Sequence, residues 1–151
     1  MITVDELMTP HPITLGPKAT LDEAAKLMKT HRIRHIPVVN RSGHLTGLLT
    51  QRDLMAASRA EDICTVREVM RRKLFTTTPE TSLRAAALIM EKHKIGSLPV
   101  LAGQNLVGII TDSDYVALSI TLLEQMEDDE TDLLDDREAG LEDFNFEMPE
   151  D

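Results

Sequence analysis

Two threonine–aspartate pairs carry most of the chemistry this sequence offers: Thr50-x-x-Asp53 and Thr111-x-x-Asp114. The first closes the run Gly47-Leu48-Leu49-Thr50-Gln51-Arg52-Asp53, the second Gly108-Ile109-Ile110-Thr111-Asp112-Ser113-Asp114. An apolar run that ends in Thr-x-x-Asp and continues with helical apolar spacing reads as a buried strand turning into a helix. Such a corner presents backbone N–H groups at the positive end of a helix dipole, which suits an anion. The carboxylate can accept two hydrogen bonds from a ribose diol while the hydroxyl and amides face a phosphate. The same residues also fit a capping box, in which hydroxyl and carboxylate serve only the helix end. The two uses are compatible.

A second group of residues is basic. His31-Arg32-Ile33-Arg34-His35 stands just before the apolar strand Ile36-Pro37-Val38-Val39, where a cation is either a solvated loop residue or a phosphate contact. Its echo, His93-Lys94-Ile95-Gly96-Ser97, replaces Arg34 and His35 by Gly96 and Ser97. Two unequal sites follow, with phosphate favoured at Arg34 and His35 and a neutral ligand or none at Gly96 and Ser97. Arg71-Arg72-Lys73 reads as a solvated loop that could meet the acidic end of the chain. The five His lack metal-ligand spacing, and Cys64 has no His or Cys beside it. No nucleophile elbow, P-loop or dinucleotide fingerprint is present, so no catalytic residue, no metal and no enzymatic activity are expected.

The elements that must position these residues occur twice. Val4, Met8, Ile13, Thr14, Pro17, Leu21, Ala24, Met28, His31, Pro37 and Val38 recur 62 residues later as Val66, Met70, Phe75, Thr76, Pro79, Leu83, Ala86, Met90, His93, Pro99 and Val100. From Gly47 the offset is 61, so one residue is lost in a turn, where length changes are tolerated. Leu21, Ala24, Ala25 and Met28 have helical spacing behind a Thr20–Glu23 capping box, and Ser82 is the expected N-cap of the echo. Each half therefore reads as strand, helix, strand, strand, helix. The boundaries are 1–60 for the first unit, 61–65 for a linker, 66–126 for the second unit and 127–151 for an acidic tail. The second motif helix is expected from Asp112 to about Met126.

Composition sets the remaining bounds. The formal charge of −10 divides into an acidic stretch from Glu124 onward and a mildly basic body. That balance argues against a nucleic-acid-binding tail and leaves room for an anionic small ligand on the body. The tail reads as disordered or partly helical in isolation. No apolar run approaches the ~20 residues of a membrane span, and Met1–Pro12 lacks the form of a signal peptide. A single Cys allows no internal disulfide, which points to a reducing, cytoplasmic setting.

The doubled helix, the Ile/Leu-Pro-Val strand and the Gly-apolar-apolar-Thr-x-x-Asp corner together resemble a tandem pair of cystathionine β-synthase (CBS) domains, a Bateman module, over roughly Met1 to Leu123. The resemblance implies an α/β (α+β) fold of two β-α-β-β-α units related by pseudo-two-fold symmetry, with clefts between their sheets. It implies an adenosine-containing ligand: AMP, ADP, ATP or S-adenosylmethionine. By position, Asp53 and Asp114 would hold ribose hydroxyls, and Thr50 and Thr111 would approach phosphate. Arg34 and His35 would also contact phosphate, while Ile13, Thr14, Ile36, Phe75, Thr76 and Leu98 would border the adenine. The expected function is regulatory, with a homodimer pairing through helices around Leu118 and Leu122 and an effector protein reading the ligand. The alternative is a ligand-free scaffold in which both motifs are caps only.

Overall fold

The computed structural model describes residues 1–60, 62–63 and 65–135. Glu61 and Cys64 of the expected linker, and the acidic tail after Asp135, lie outside the described residues. The first copy supplies α1 (Val4–Leu7), β1 (Thr9–Pro10), α2 (Leu21–His31), β2 (His35–Val39), β3 (Leu45–Thr50) and α3 (Gln51–Ala57). The second supplies α4 (Val66–Val69), α5 (Leu83–His93), β4 (Ser97–Ala102), β5 (Asn105–Thr111) and α6 (Asp112–Asp135). The helix after the second motif thus runs on past Met126. Met1–Asp114 forms one compact unit and a second begins at Tyr115, within α6.

Each copy folds its two long strands into an antiparallel hairpin with matching register. His35 pairs with Thr50 and Val38 with Gly47; Ser97 pairs with Thr111 and Val100 with Gly108. Leu15 and Thr77 then run parallel beside Val38 and Val100 as further edges. Leu15 donates its N–H to the Pro37 carbonyl and Thr77 does the same to Pro99, at 3.1 and 3.0 Å. The proline nitrogens consequently lie on the outer side of each hairpin, where a missing donor costs the ladder nothing. The caps form as the sequence predicts: Thr20 accepts from the Glu23 N–H at 3.1 Å, and Ser82 from that of Ala85 at 3.0 Å.

The sequence copies are interleaved in space, which the repeat alone does not reveal. β1 of the first copy pairs with β5 of the second, with Thr9 opposite Ile109 and Pro10 opposite Gly108. Reciprocally, Arg71 of the second copy bridges to Leu48 of β3. The helices before them cross over too. Val4 N–H bonds the Thr81 carbonyl and Val66 N–H that of Ala19, both at 2.8 Å. One cluster of the core joins Ala24, Met28, Ile36, Val38, Leu49 and Leu54 to Val66 of the other copy.

The motif glycines make this crossing possible. A Cβ at Gly47 would collide with Met70 Sδ and lie 3.1 Å from the Arg71 carbonyl oxygen. At Gly108 it would collide with Met8 Sδ and lie 3.1 Å from the Thr9 carbonyl oxygen. Glycine is needed where a foreign strand passes this close. Among the described residues no helix is long and apolar enough to cross a membrane.

Candidate functional site

Thr50 is the N-cap of α3, its hydroxyl accepting the Asp53 N–H at 3.2 Å. The reciprocal half of the capping box is absent at this corner, because the Asp53 carboxylate faces Arg71 instead. Arg71 Nε lies 2.8 Å from Oδ2 and Nη2 lies 3.3 Å from Oδ1, a two-pronged ion pair. Burial pushes the Asp53 carboxyl up, but the hydrogen bonds from Arg71 and Thr50 and the charges of Arg71 and Arg52 outweigh it, and its pKa is lowered. The pairing raises that of Arg71.

The second corner differs. Asp114 Oδ2 accepts from the Thr111 N–H at 2.8 Å and lies 3.2 Å from Thr111 Oγ1, while Thr111 Oγ1 lies 3.4 Å from the Asp114 nitrogen. That is a complete capping box. The Asp112 N–H bonds the Gly96 carbonyl at 2.9 Å, and the Ser113 N–H bonds Asp112 Oδ1 at 2.8 Å. The first three amides of α6 are therefore engaged by the chain itself. Thr9 stands where Arg71 stands in the other copy, and among the described residues Asp114 makes no ion pair.

Between the hairpins lies a cleft of about 740 Å³ at the Thr50 corner. Arg34, Arg52, Arg71, Lys73 and Lys94 line it together with Asp112. Phe75 and His93 supply a flat wall, their rings stacked with centroids 3.8 Å apart and planes 21° from parallel. Arg34 of the first copy reaches across to Asp112 and Ser113 of the second, both at 3.3 Å. His35 and its counterpart Ser97 meet on the pseudo-two-fold axis, with Nδ1 and Oγ 3.1 Å apart. Gly96 leaves room for this imidazole, since a Cβ there would lie 3.1 Å from His35 Cε1. Burial lowers the His35 pKa most; the charges of Arg34 and Arg71 lower it further, against an opposing pull from Asp112.

The sequence-derived residues divide accordingly. Thr50, Arg34, His35 and Phe75 border the cleft, and Asp53 connects to it through Arg71. Thr111 and Asp114 form the second corner. Ile36 and Leu98 have no exposed surface and pack in the core beneath their hairpins. Thr14 lines a separate cavity, Thr76 is exposed and Ile13 is half-buried. The split of cations between two clefts also changes, because Arg34 bonds the second corner while lining the cleft at the first.

Sequence reasoning passed over Arg71, Lys73, His93, Lys94 and Asp112. Arg71 and Lys73 looked like solvated loop, yet the crossing of the copies lays their segment beside β3. The signal was available in Met70 and Arg71, which follow Val66 as Met8 and Thr9 follow Val4. Among the described residues no cluster of His, Cys, Asp and Glu could hold a metal ion.

The CBS domain model matches residues 4–60 and 66–120. The CBS domain-containing protein YhcV of Bacillus subtilis is 39% identical over 76% of this chain and 83% of its own length. A homoserine O-acetyltransferase of Methanocorpusculum labreanum is 40% identical over 80% of this chain, which spans only 25% of that enzyme. Among solved structures, a Vibrio cholerae protein assigned to acetoin utilization (AcuB) is 44% identical with a TM-score of 0.76, covering 85% of this chain and 97% of its own. The CBS domain pair of protein MJ0100, in complex with 5′-methylthioadenosine and S-adenosyl-L-methionine, is 31% identical with a TM-score of 0.74 over 78% of this chain and 95% of its own. CBSX2 in complex with AMP is 25% identical with a TM-score of 0.71 over 81% of this chain and 98% of its own.

Proposed function

The chain belongs to the CBS domain family, with one domain over residues 4–60 and another over 66–120, and on that premise we propose that it is a regulatory module for a phosphate-bearing adenosine ligand. The carrying observation is the charge of the cleft: five Lys and Arg side chains line it with the carboxylate of Asp112. Such a lining favours AMP, ADP or ATP over S-adenosylmethionine, whose sulfonium would meet like charge. The ligands held by MJ0100 and CBSX2 support the adenosine part. Phe75 and His93 offer a stacking face for a base, and Asp53 a pair of acceptors for ribose hydroxyls. Arg71, released from Asp53, would turn to the phosphate. Ligand entry thus exchanges one ion pair for another and loosens a contact that joins the two copies, a change that an effector protein can read.

A structural role fits the second corner better. Its capping box is closed and Arg34 is tied to Asp112. We therefore assign one nucleotide to the Thr50 cleft and none to the Thr111 corner.

Calorimetry with AMP, ATP and S-adenosylmethionine tests this reading. One equivalent of AMP or ATP should bind, S-adenosylmethionine more weakly, and Asp53→Ala should lose about tenfold in affinity with Asp114→Ala near wild type. Heat signals absent at millimolar nucleotide, or a loss confined to Asp114→Ala, would overturn it.

A further inference from the structure

We propose that the chain carries a second small-molecule site, separate from the Thr50 cleft, for an organic phosphate with an apolar body. It is a cavity of about 720 Å³ bounded by segment 14–19, the end of β2 with the turn after it, and segment 67–72. The two cavities share no lining residue.

Its lining has two chemistries. Leu15, Pro17, Ala19, Val39 and Met70 are half-buried and apolar, a surface on which a hydrocarbon or ring can leave water. Lys18, Arg41, Arg67 and Arg72 are exposed around them. Among the described residues none of the four makes an ion pair. The wall bearing two of them is fixed: the Arg67 N–H bonds the Pro17 carbonyl at 2.9 Å, and Arg72 Nη2 donates to the Arg67 carbonyl at 3.5 Å. Guanidinium groups lining one cavity suit a phosphate, since each offers a planar set of donors.

The duplication separates what the fold needs from what this cavity adds. The counterparts of Lys18, Arg41, Arg67 and Arg72 are Glu80, Gly103, Asp5 and Pro10. Four positive positions in one copy become two negative and two uncharged positions in the other. Of the five apolar lining residues, Pro17, Val39 and Met70 keep their character as Pro79, Leu101 and Met8, while Leu15 and Ala19 become Thr77 and Thr81. The hairpin and its crossing strand therefore fold without the cations, and only the first copy's cavity has the potential to hold an anion.

Titration of the full chain with 1-naphthyl phosphate by calorimetry tests the site, with 1-naphthol and inorganic phosphate as separate arms. In a Lys73→Glu/Lys94→Glu background, where the Thr50 cleft repels phosphate, naphthyl phosphate should bind with one-to-one stoichiometry, about tenfold or more tighter than either fragment. Arg67→Ala/Arg72→Ala should weaken it about tenfold, and Lys18→Glu/Arg41→Glu, which leaves the crossing segment untouched, should do likewise. Circular dichroism verifies that each variant is folded. Adding Asp53→Ala to that background should leave the affinity unchanged, so failure of the nucleotide reading and failure of this one are distinguishable. Undiminished affinity in both folded charge variants, loss of binding in Asp53→Ala, or no binding at millimolar probe would overturn the proposal.

Discussion

Arg71 holds both carboxylate oxygens of Asp53, so a ribose reaching that carboxylate must displace a guanidinium that a phosphate can then engage. The balance predicts opposite responses to Arg71→Ala. Adenosine, which has no phosphate to offer, should bind several-fold tighter to the variant, whereas AMP loses a cation; equal shifts for both in calorimetry would refute the exchange. The pH dependence has a definite sign. Because folding depresses the His35 pKa, the unfolded chain binds more protons near pH 6.5, so stability falls as pH drops below that ordinary value. Asp53 acts in the same direction at lower pH, its contribution being present above the ordinary carboxylate range and lost as pH falls through its depressed pKa. Thermal melts of wild type and His35→Asn between pH 5 and 8 should show a shallower acid slope for the variant. Thr77 offers a simpler case. Among the described residues its buried hydroxyl has no hydrogen-bond partner, and its counterpart is Leu15, so Thr77→Val should be neutral or stabilising by about 1 kcal/mol in urea titration.

At the level of strands and helices, the hairpins, both capped helices and the two strand-to-helix corners are legible in the sequence because each is set by local pattern. Apolar alternation, Thr20–Glu23 and Gly-apolar-apolar-Thr act over a few residues. What locality hides is the partner of each short segment: nothing in Thr9-Pro10 or Arg71-Arg72 states that it will lie against the other copy's strand. The cleft-lining residues that the crossing supplies, Arg71 and Lys73, read as a solvated loop for the same reason, whereas Thr50 and Phe75, named from the sequence, line the same cleft. Ile36 and Leu98, which the resemblance put beside the adenine, are fully buried in the core, because a position in a strand motif does not say which face meets the helices. The crossing has a test of its own. Gly47→Ala should cost about 1–3 kcal/mol through overpacking against Met70, and Met70→Ala in the same chain should recover part of that loss, measured by a double-mutant cycle.

For the molecule as a whole, the interleaving means that neither sequence copy contains its own complete core. Val66 is fully buried in a cluster otherwise made of first-copy residues. Val66→Ala should therefore cost about 2 kcal/mol and raise amide exchange in β2 and β3 of the first copy, although the substitution lies in the second. Exchange rising only around residue 66 would contradict this. Along α6, Val116, Ile120 and Leu123 are exposed at helical spacing, with Leu122 and Met126 beside them, and Leu118 is half-buried. We expect this face to pair two chains. Ile120→Asp should halve the mass seen in light scattering, and an unchanged mass would remove the homodimer. The reciprocal bonds of Val4 with Thr81 and Val66 with Ala19 carry a meaning for ancestry. A chain holding one copy would bury its leading valine in this way only by clasping an identical molecule, so here a peptide bond joins what two such chains would exchange, and the two sides can differ in charge.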